Sequence, residues 1–69
     1  MKLLALRLRT ARELKDWTQQ DLANVTGLMP SAVSHFEKGR RVPSLQNFHK
    51  LVVALNVSAD YLLGRAFDE

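Results

Sequence analysis

The sequence predicts an all-α fold, a compact bundle of five helices formed by one domain over residues 1–69. Apolar residues recur every three or four positions through most of the chain, which is the period of an amphipathic helix, and no segment shows the alternation of a half-buried strand. Hydrophobic residues make up 46% of the chain, which is ample for one small core. We expect the core of the domain to cover about residues 7–64 and residues 65–69 to fray.

The first helix is predicted from about Lys2 to Lys15. Leu4, Leu8 and Ala11 follow one another at helical spacing and therefore share one face. This face is typical of a helix that packs on a core.

Two short helices follow, and their boundaries are marked by capping residues. Thr18, with Asp21 three positions later, resembles a capping box and predicts that the second helix begins at Gln19. Gly27 ends this helix, since it lacks a Cβ and readily adopts the left-handed conformation. Ala23 lies where the two helices meet, and a longer side chain there would push them apart. The spacing predicts a helix-turn-helix, a shape that fits the major groove of DNA.

The third helix is predicted to begin at Pro30, because proline suits the first turn of a helix. The inward faces of the second and third helices are expected to share a set of apolar side chains. These are Leu22, Val25, Leu28, Val33 and Phe36.

The last two helices follow the segment KGRRVPS, whose glycine, proline and charges predict an exposed loop. Ser44 is expected to cap the fourth helix and Asn56 to end it, because asparagine tolerates the left-handed conformation. Ser58 would cap a short fifth helix over residues 59–63, which Gly64 ends. The inward face of the fourth helix is expected to contain Leu45, Phe48, Leu51, Val52 and Leu55.

Charge and composition narrow the class of partner. The formal net charge is +3, and Lys38, Arg40 and Arg41 cluster after the third helix, a balance that favours nucleic acid or another anionic surface. The absence of cysteine excludes disulfides, zinc fingers and thiol catalysis. No apolar run spans a bilayer, and basic residues interrupt the apolar start of the chain, so we expect a cytoplasmic protein without a membrane partner.

Several segments together resemble one known family. The segments LRTARELKDWTQQDLA, SAVSHFEKGRRVPS and ALNVSADYLLG, with the turn at Gly27, resemble the lambda-repressor-like DNA-binding domains of phage repressors, phage Cro proteins and small bacterial regulators. The resemblance covers about Arg7 to Gly64. It implies a five-helix bundle whose third helix enters the major groove of double-stranded DNA, and dimers on half-sites about one DNA turn apart.

The resemblance also implies a pair between Arg12 and Glu37, which we interpret as structural because it would tie the first helix to the third. An enzymatic alternative places Glu37 beside His35 as a general base. Neither a nucleophile nor an oxyanion donor accompanies them, so we expect no catalytic residue, cofactor or metal ion.

Base contacts are expected from the exposed N-terminal half of the third helix. Ser31, Ser34 and His35 match the positions that contact bases in the family, and Pro30 and Ala32 add apolar surface for a thymine methyl. The alternative is that these are ordinary solvated side chains. The family usually has Ser or Thr at the position of Met29, which cannot cap, and a polar residue at that of Pro30, which lacks a backbone donor.

Phosphate contacts need only donors or positive charge beside the groove. The start of the second helix offers free amides, and the basic loop offers charge; a merely solvated charge cluster is the alternative. The predicted contacts are Thr18, Gln19, Lys38, Arg40, Arg41 and Ser44.

Apolar residues beyond the core suggest contacts with other proteins, although scattered exposed apolar residues are normal. The candidates for a homodimer are His49, Val53, Tyr61 and Phe67. A second stripe on the first helix, of Leu3, Leu6 and Leu14, is a candidate to bind the C-terminal segment, a second copy or another protein. The sequence therefore leaves open a dimeric repressor, an antitoxin that also binds its operator, and a domain used only for protein contacts.

Overall fold

The computed structural model describes residues 2–64, and it contains five helices there. They are α1 (Lys2–Leu14), α2 (Gln19–Thr26), α3 (Pro30–Glu37), α4 (Leu45–Leu55) and α5 (Ala59–Leu63). The predicted all-α fold is confirmed, and α1 ends one residue before the predicted Lys15.

Local capping defines most helix boundaries. At the start of α2 the hydroxyl of Thr18 accepts a hydrogen bond of 3.0 Å from the Asp21 amide, and the Asp21 carboxylate accepts one of 2.9 Å from the Thr18 amide. Ser44 and Ser58 cap α4 and α5 in the same way with their hydroxyls. Gly27 ends α2 in the left-handed conformation, with φ of 77°. The predicted capping residues therefore set the starts of three helices.

The link from α1 to α2 is fixed by Arg12. Its carbonyl accepts hydrogen bonds from the amides of Lys15 and Trp17, and its guanidinium donates one of 2.7 Å to the Trp17 carbonyl. Between them Asp16 adopts a φ of 58°, which Asp tolerates better than most residues. The backbone and the side chain of one residue near the end of α1 therefore both hold this turn.

The core lies where the five helices meet. Each helix contributes one fully buried side chain, and these are Leu8, Leu22, Val33, Leu51 and Leu62. α1 packs on α3 and α5, while α2 packs on α3 and α4. α3 is thus held on one side by α1 and α2, and its other side remains accessible.

Two predicted core residues are in fact exposed. Val25 in α2 is 57% exposed and Leu45 at the start of α4 is 84% exposed. With 3.6 residues per turn, Val25 lies about a quarter turn or more from the face defined by Leu22 and Ala23. Leu45 is similarly displaced from the buried face of α4. Three- and four-residue spacing brings side chains onto the same side of a helix, but only the packing partner decides where the buried face is centred.

Candidate nucleic-acid interface

α3 divides into a buried and an accessible side. Val33 and Phe36 are buried in the core, whereas Ser31 is exposed and Ser34 and His35 are half-buried. The positions of the last three follow helical spacing, so their side chains lie on the same side of α3. Pro30 is exposed, whereas Ala32 is half-buried against the core. His35 lies in the last turn of α3, so the predicted base-contact residues extend along the helix and are not confined to its N-terminal half.

The N-terminus of α3 carries no side-chain cap. Met29 occupies the cap position in an extended conformation and makes no capping hydrogen bond. Its carbonyl accepts hydrogen bonds from the amides of Ala32 and Val33, at 3.0 and 3.2 Å. The helix therefore starts regularly at Pro30 with bonds to the backbone of Met29 and none to its side chain.

A buried network ties α3 to α1 and α2. The Arg12 guanidinium donates hydrogen bonds from Nε to Glu37 Oε2, at 2.7 Å, and from Nη2 to Oε1, at 3.0 Å. The Glu37 side chain is only 2% exposed, and its Oε1 also accepts a bond of 3.1 Å from Gln19 Nε2. The hydrogen bonds to Glu37 raise the pKa of Arg12 above its ordinary value, so the guanidinium stays charged. The pair therefore ties α3 to α1, and Gln19 adds a bond from α2.

The two predicted phosphate contacts at the start of α2 already have intramolecular partners. The Thr18 hydroxyl belongs to the capping box, and Gln19 donates to Glu37. Gln19 has a second amide hydrogen, and the first amides of α2 point out of the helix end. The start of α2 therefore still presents donors beside α3.

The basic loop is attached to the end of α3. Lys38, Arg40 and Arg41 are exposed, and none of them forms an ion pair within residues 2–64. The amides of Arg40 and Arg41 donate to the carbonyl of His35, at 3.0 and 3.4 Å. Ser44, which follows the loop, uses its hydroxyl to accept from the Asn47 amide at 3.1 Å. Three exposed cations thus lie in the loop that follows α3, without an ion pair among the residues that the structure describes.

The described residues predicted for a homodimer border two different grooves. His49 and Val53 are exposed and border a groove with Val25. Tyr61 is half-buried and borders a different groove, and Arg7 covers it: Nη1 donates 2.8 Å to the Tyr61 carbonyl, with the guanidinium carbon 4.8 Å from the ring centroid. Phe67 lies outside the described residues.

The three leucines of the predicted second stripe on α1 have different neighbours. Leu3 faces the α-carbon of Gly64, Leu6 borders a groove that includes Lys38, and Leu14 borders the groove of Tyr61. Leu3 and Leu14 are separated by eleven residues of helix, or about 16 Å. All three leucines are exposed, and their binding of a partner stays a prediction.

An apolar surface that sequence reasoning missed lies beside the basic loop. Val42, Leu45 and Leu63 are exposed and border one groove with Leu4 and Phe48. Leu45 was expected in the core, and Val42 belonged to a segment predicted only as an exposed loop. The signal that could have found the surface is the position of Leu45 in the first turn of α4, away from the centre of the buried face.

Other kinds of site find little support in residues 2–64. This part of the chain contains no group of three or more His, Asp or Glu residues placed to hold a metal ion. No helix in it is long and apolar enough to cross a membrane.

A short accessible helix, fixed by a buried ion pair and preceded across a tight turn by a capped helix, defines a helix-turn-helix domain. The family model described as helix-turn-helix matches residues 8–62, and the chain belongs to this family of lambda-repressor- and Cro-like domains. The predicted family is thus confirmed.

Known relatives support the same class. The chain is 38% identical over 56 residues to the uncharacterized HTH-type transcriptional regulator YazB of Bacillus subtilis, with 81% of each chain covered. It spans about half the length of two other curated relatives, covering 49% of one and 51% of the other.

Two solved structures share the fold closely. The restriction-modification controller protein C.AhdI from Aeromonas hydrophila superposes with a TM-score of 0.83 at 38% identity, covering 88% of this chain and 92% of that one. The P22 c2 repressor, solved in complex with a synthetic operator, gives 0.88 at 30% identity, covering 96% and 100%. The similarity includes the whole helix-turn-helix.

Proposed function

We propose that this protein is a sequence-specific transcriptional repressor that binds a palindromic operator as a homodimer, with α3 in the major groove. The observation that carries the proposal is the accessible side of α3: an exposed basic loop that forms no ion pair within residues 2–64 follows the helix, and Gln19 at the start of α2 donates a hydrogen bond to Glu37 at its end. Amides and cations on either side of an accessible helix match the phosphate strands that border the major groove. The name of the P22 c2 relative supports the repressor activity.

The base contacts are assigned to the accessible part of α3. Ser31 and Ser34 offer hydroxyls that donate or accept, and His35 offers a ring nitrogen for a guanine or a phosphate. Pro30 and Ala32 supply apolar surface for a thymine methyl. Because two of the polar contacts are serines, which discriminate poorly between bases, His35 is the main polar determinant of sequence in this proposal.

The phosphate contacts are assigned to both sides of the groove. On one side, Gln19 offers its second amide hydrogen, and the backbone amides of Gln19 and Gln20 precede the first amide that the cap occupies, that of Asp21. On the other side, Lys38, Arg40 and Arg41 offer charge, with the start of α4 at Ser44 beside them. Each neutralised phosphate releases counterions, so affinity should fall steeply with salt.

We assign the dimer contact to the apolar surface beside the basic loop, formed by Val42, Leu45 and Leu63. These side chains border one groove, whereas Val53 and Tyr61 border separate grooves and Tyr61 is covered by Arg7. Sedimentation should therefore show a lower dimer fraction for Leu45→Glu. The variants Val53→Glu and Tyr61→Glu are the comparison, and a loss of dimer in these alone would move the contact to the residues first predicted.

The decisive experiment for the function is selection of bound duplexes from a random DNA pool. A palindromic consensus is the expected result for the wild-type protein. Loss of base preference at one position of that consensus in His35→Ala would show which base His35 contacts. Failure to enrich any sequence would overturn the proposal.

The slope of log affinity against log salt, compared between the wild-type protein and Arg41→Ala, tests the basic loop: the expected change in slope is about 0.9 for one lost phosphate contact. Equal slopes would remove Arg41 from the contacts.

A further inference from the structure

Met29 places an uncovered apolar side chain at the tip of the accessible side of α3. It is 68% exposed and is not among the partly buried side chains packed against the core of residues 2–64. Its chain neighbours Pro30 and Ser31 are exposed as well. Other exposed leucines differ from it, because Leu14 and Leu45 border apolar grooves of the domain itself.

The fold draws no visible benefit from methionine at this position. The residue stands at the helix cap, where a side-chain oxygen would bond to a first-turn amide, and it makes no such bond. Its contribution to α3 is made by its backbone carbonyl, which any residue could supply. The thioether side chain therefore remains available for contact with a partner.

The chemistry of the major groove indicates which partner group suits this tip. Thymine alone among the four bases presents a methyl group there, and apolar side chains contact it. Methionine is long, unbranched and polarizable, so it adapts its shape to an apolar group. The ring of Pro30 adds apolar surface next to it, and the small Ser31 leaves room for close approach to the base edges.

We infer that Met29 is a specificity-determining residue that contacts the 5-methyl group of a thymine in each operator half-site. This inference rests on the proposed binding of operator DNA by α3. It adds a determinant that the family pattern does not supply, since Ser or Thr usually occupies this position. The exposed cations of the loop at the other end of α3, which form no ion pair within residues 2–64, favour DNA over a protein as the partner of this surface.

The test uses the full chain and a duplex obtained by the selection described above. Each thymine of one half-site is replaced in turn by deoxyuridine, which lacks only the methyl group, and affinity is measured by fluorescence anisotropy. At one position near the N-terminus of α3, wild-type affinity should fall about fourfold, the effect expected for one buried methyl-sized group. In Met29→Ser the same replacement should change affinity by less than about 1.5-fold.

Serine can cap α3, so Met29→Ser is expected to fold, and circular dichroism checks this. Leu14→Ser removes another exposed apolar side chain, outside α3 and outside the proposed dimer contact, and should keep the full fourfold effect of deoxyuridine. The inference is overturned if no thymine is sensitive to loss of its methyl, if Met29→Ser keeps the whole sensitivity, or if Leu14→Ser abolishes it equally. Specific binding that persists with any of these results leaves the proposed function standing, whereas failure to select any duplex overturns both.

Discussion

Arg12 and Glu37 join the first and third helices through two hydrogen bonds, of 2.7 and 3.0 Å, although 25 residues separate them in the sequence. Their side chains are only 11% and 2% exposed. An ion pair this far from water stabilises only while both partners are present, because each charge left alone would remain desolvated. The position of α3 therefore depends on a pair that has to be kept or replaced as a unit.

Replacing Glu37 with Gln should destabilise the protein by about 3–5 kcal/mol, since Arg12 would remain buried without its counter-charge. Glu13→Gln is the matched control, because Glu13 pairs with Arg9 on the surface and its side chain is 53% exposed. The control should change stability by less than about 0.5 kcal/mol. Urea denaturation measures both, and similar losses in the two variants would contradict the structural role of Glu37.

The same pair predicts how stability responds to pH. The hydrogen bonds that Arg12 donates to Glu37 raise the pKa of Arg12 above its ordinary value. A raised folded-state pKa of a cation contributes stability that is fully present below the unfolded-state pKa and is lost only as pH rises through the folded-state value. For Arg12 that window lies at strongly alkaline pH, so denaturation midpoints around neutral pH should show no contribution from its titration.

Thr18→Ala should lower stability by about 1 kcal/mol, because it removes the hydroxyl that accepts the hydrogen bond of the Asp21 amide in the capping box of α2. For a domain of this size the expected decrease in Tm is about 4–8 °C. Gln20→Ala, in the same helical turn, is the control: it removes only an exposed hydrogen bond to Asn24 and should cost a few tenths of a kcal/mol, or about 0.2–0.5. Equal Tm values for the two variants would show that the cap contributes little.

Met29→Thr should raise stability by about 0.5–1 kcal/mol in the absence of DNA, because threonine can accept a hydrogen bond from a first-turn amide of α3. The missing cap in the structure motivates this change. Differential scanning calorimetry of the free protein is the appropriate measurement. An unchanged or lower Tm would mean that the Met29 position does not act as a cap.

Gly64→Ala should be more destabilising than Gly27→Ala. Both glycines are left-handed, with φ of 78° and 77°, so an alanine at either costs about 1–2 kcal/mol in backbone conformation. Only at Gly64 would the new Cβ also collide with the side chain of Leu3, while nothing lies within 4 Å at Gly27. Moving Leu3 off its rotamer adds about 0.5–1.5 kcal/mol. Chemical denaturation of the two variants compares them directly, and equal losses would exclude the contact with Leu3.

Helix boundaries were predictable because caps act over a few residues. Thr18, Ser44 and Asn56 mark helix ends through bonds within one turn. Which face is buried depends on distant helices, and for this reason Val25 and Leu45 were placed wrongly. The sequence predicts only part of the role of Gln19 for a similar reason. Its hydrogen bond reaches Glu37, 18 positions away, and no local pattern indicates that bond.

The candidate interface was predictable to a different extent. The accessible side of α3 follows from the buried positions of Val33 and Phe36, and the basic loop is visible in the sequence itself. The assignment of each contact to a base or a phosphate stays a prediction, because it depends on how the DNA lies against the protein. Exposed apolar residues were the least predictable, since Leu3, Leu6 and Leu14 share a helix but not an environment.

The backbone amides of Arg40 and Arg41 donate hydrogen bonds to the carbonyl of His35. These bonds set the spacing between the proposed base contact and the start of the proposed phosphate contacts. A residue assigned to the base edges and the arginines assigned to the phosphates are held by the same few backbone atoms. A duplex bound as proposed must therefore offer a groove whose depth and width match this spacing. Sequences that reach that shape at low deformation cost would be favoured even at positions that no side chain touches.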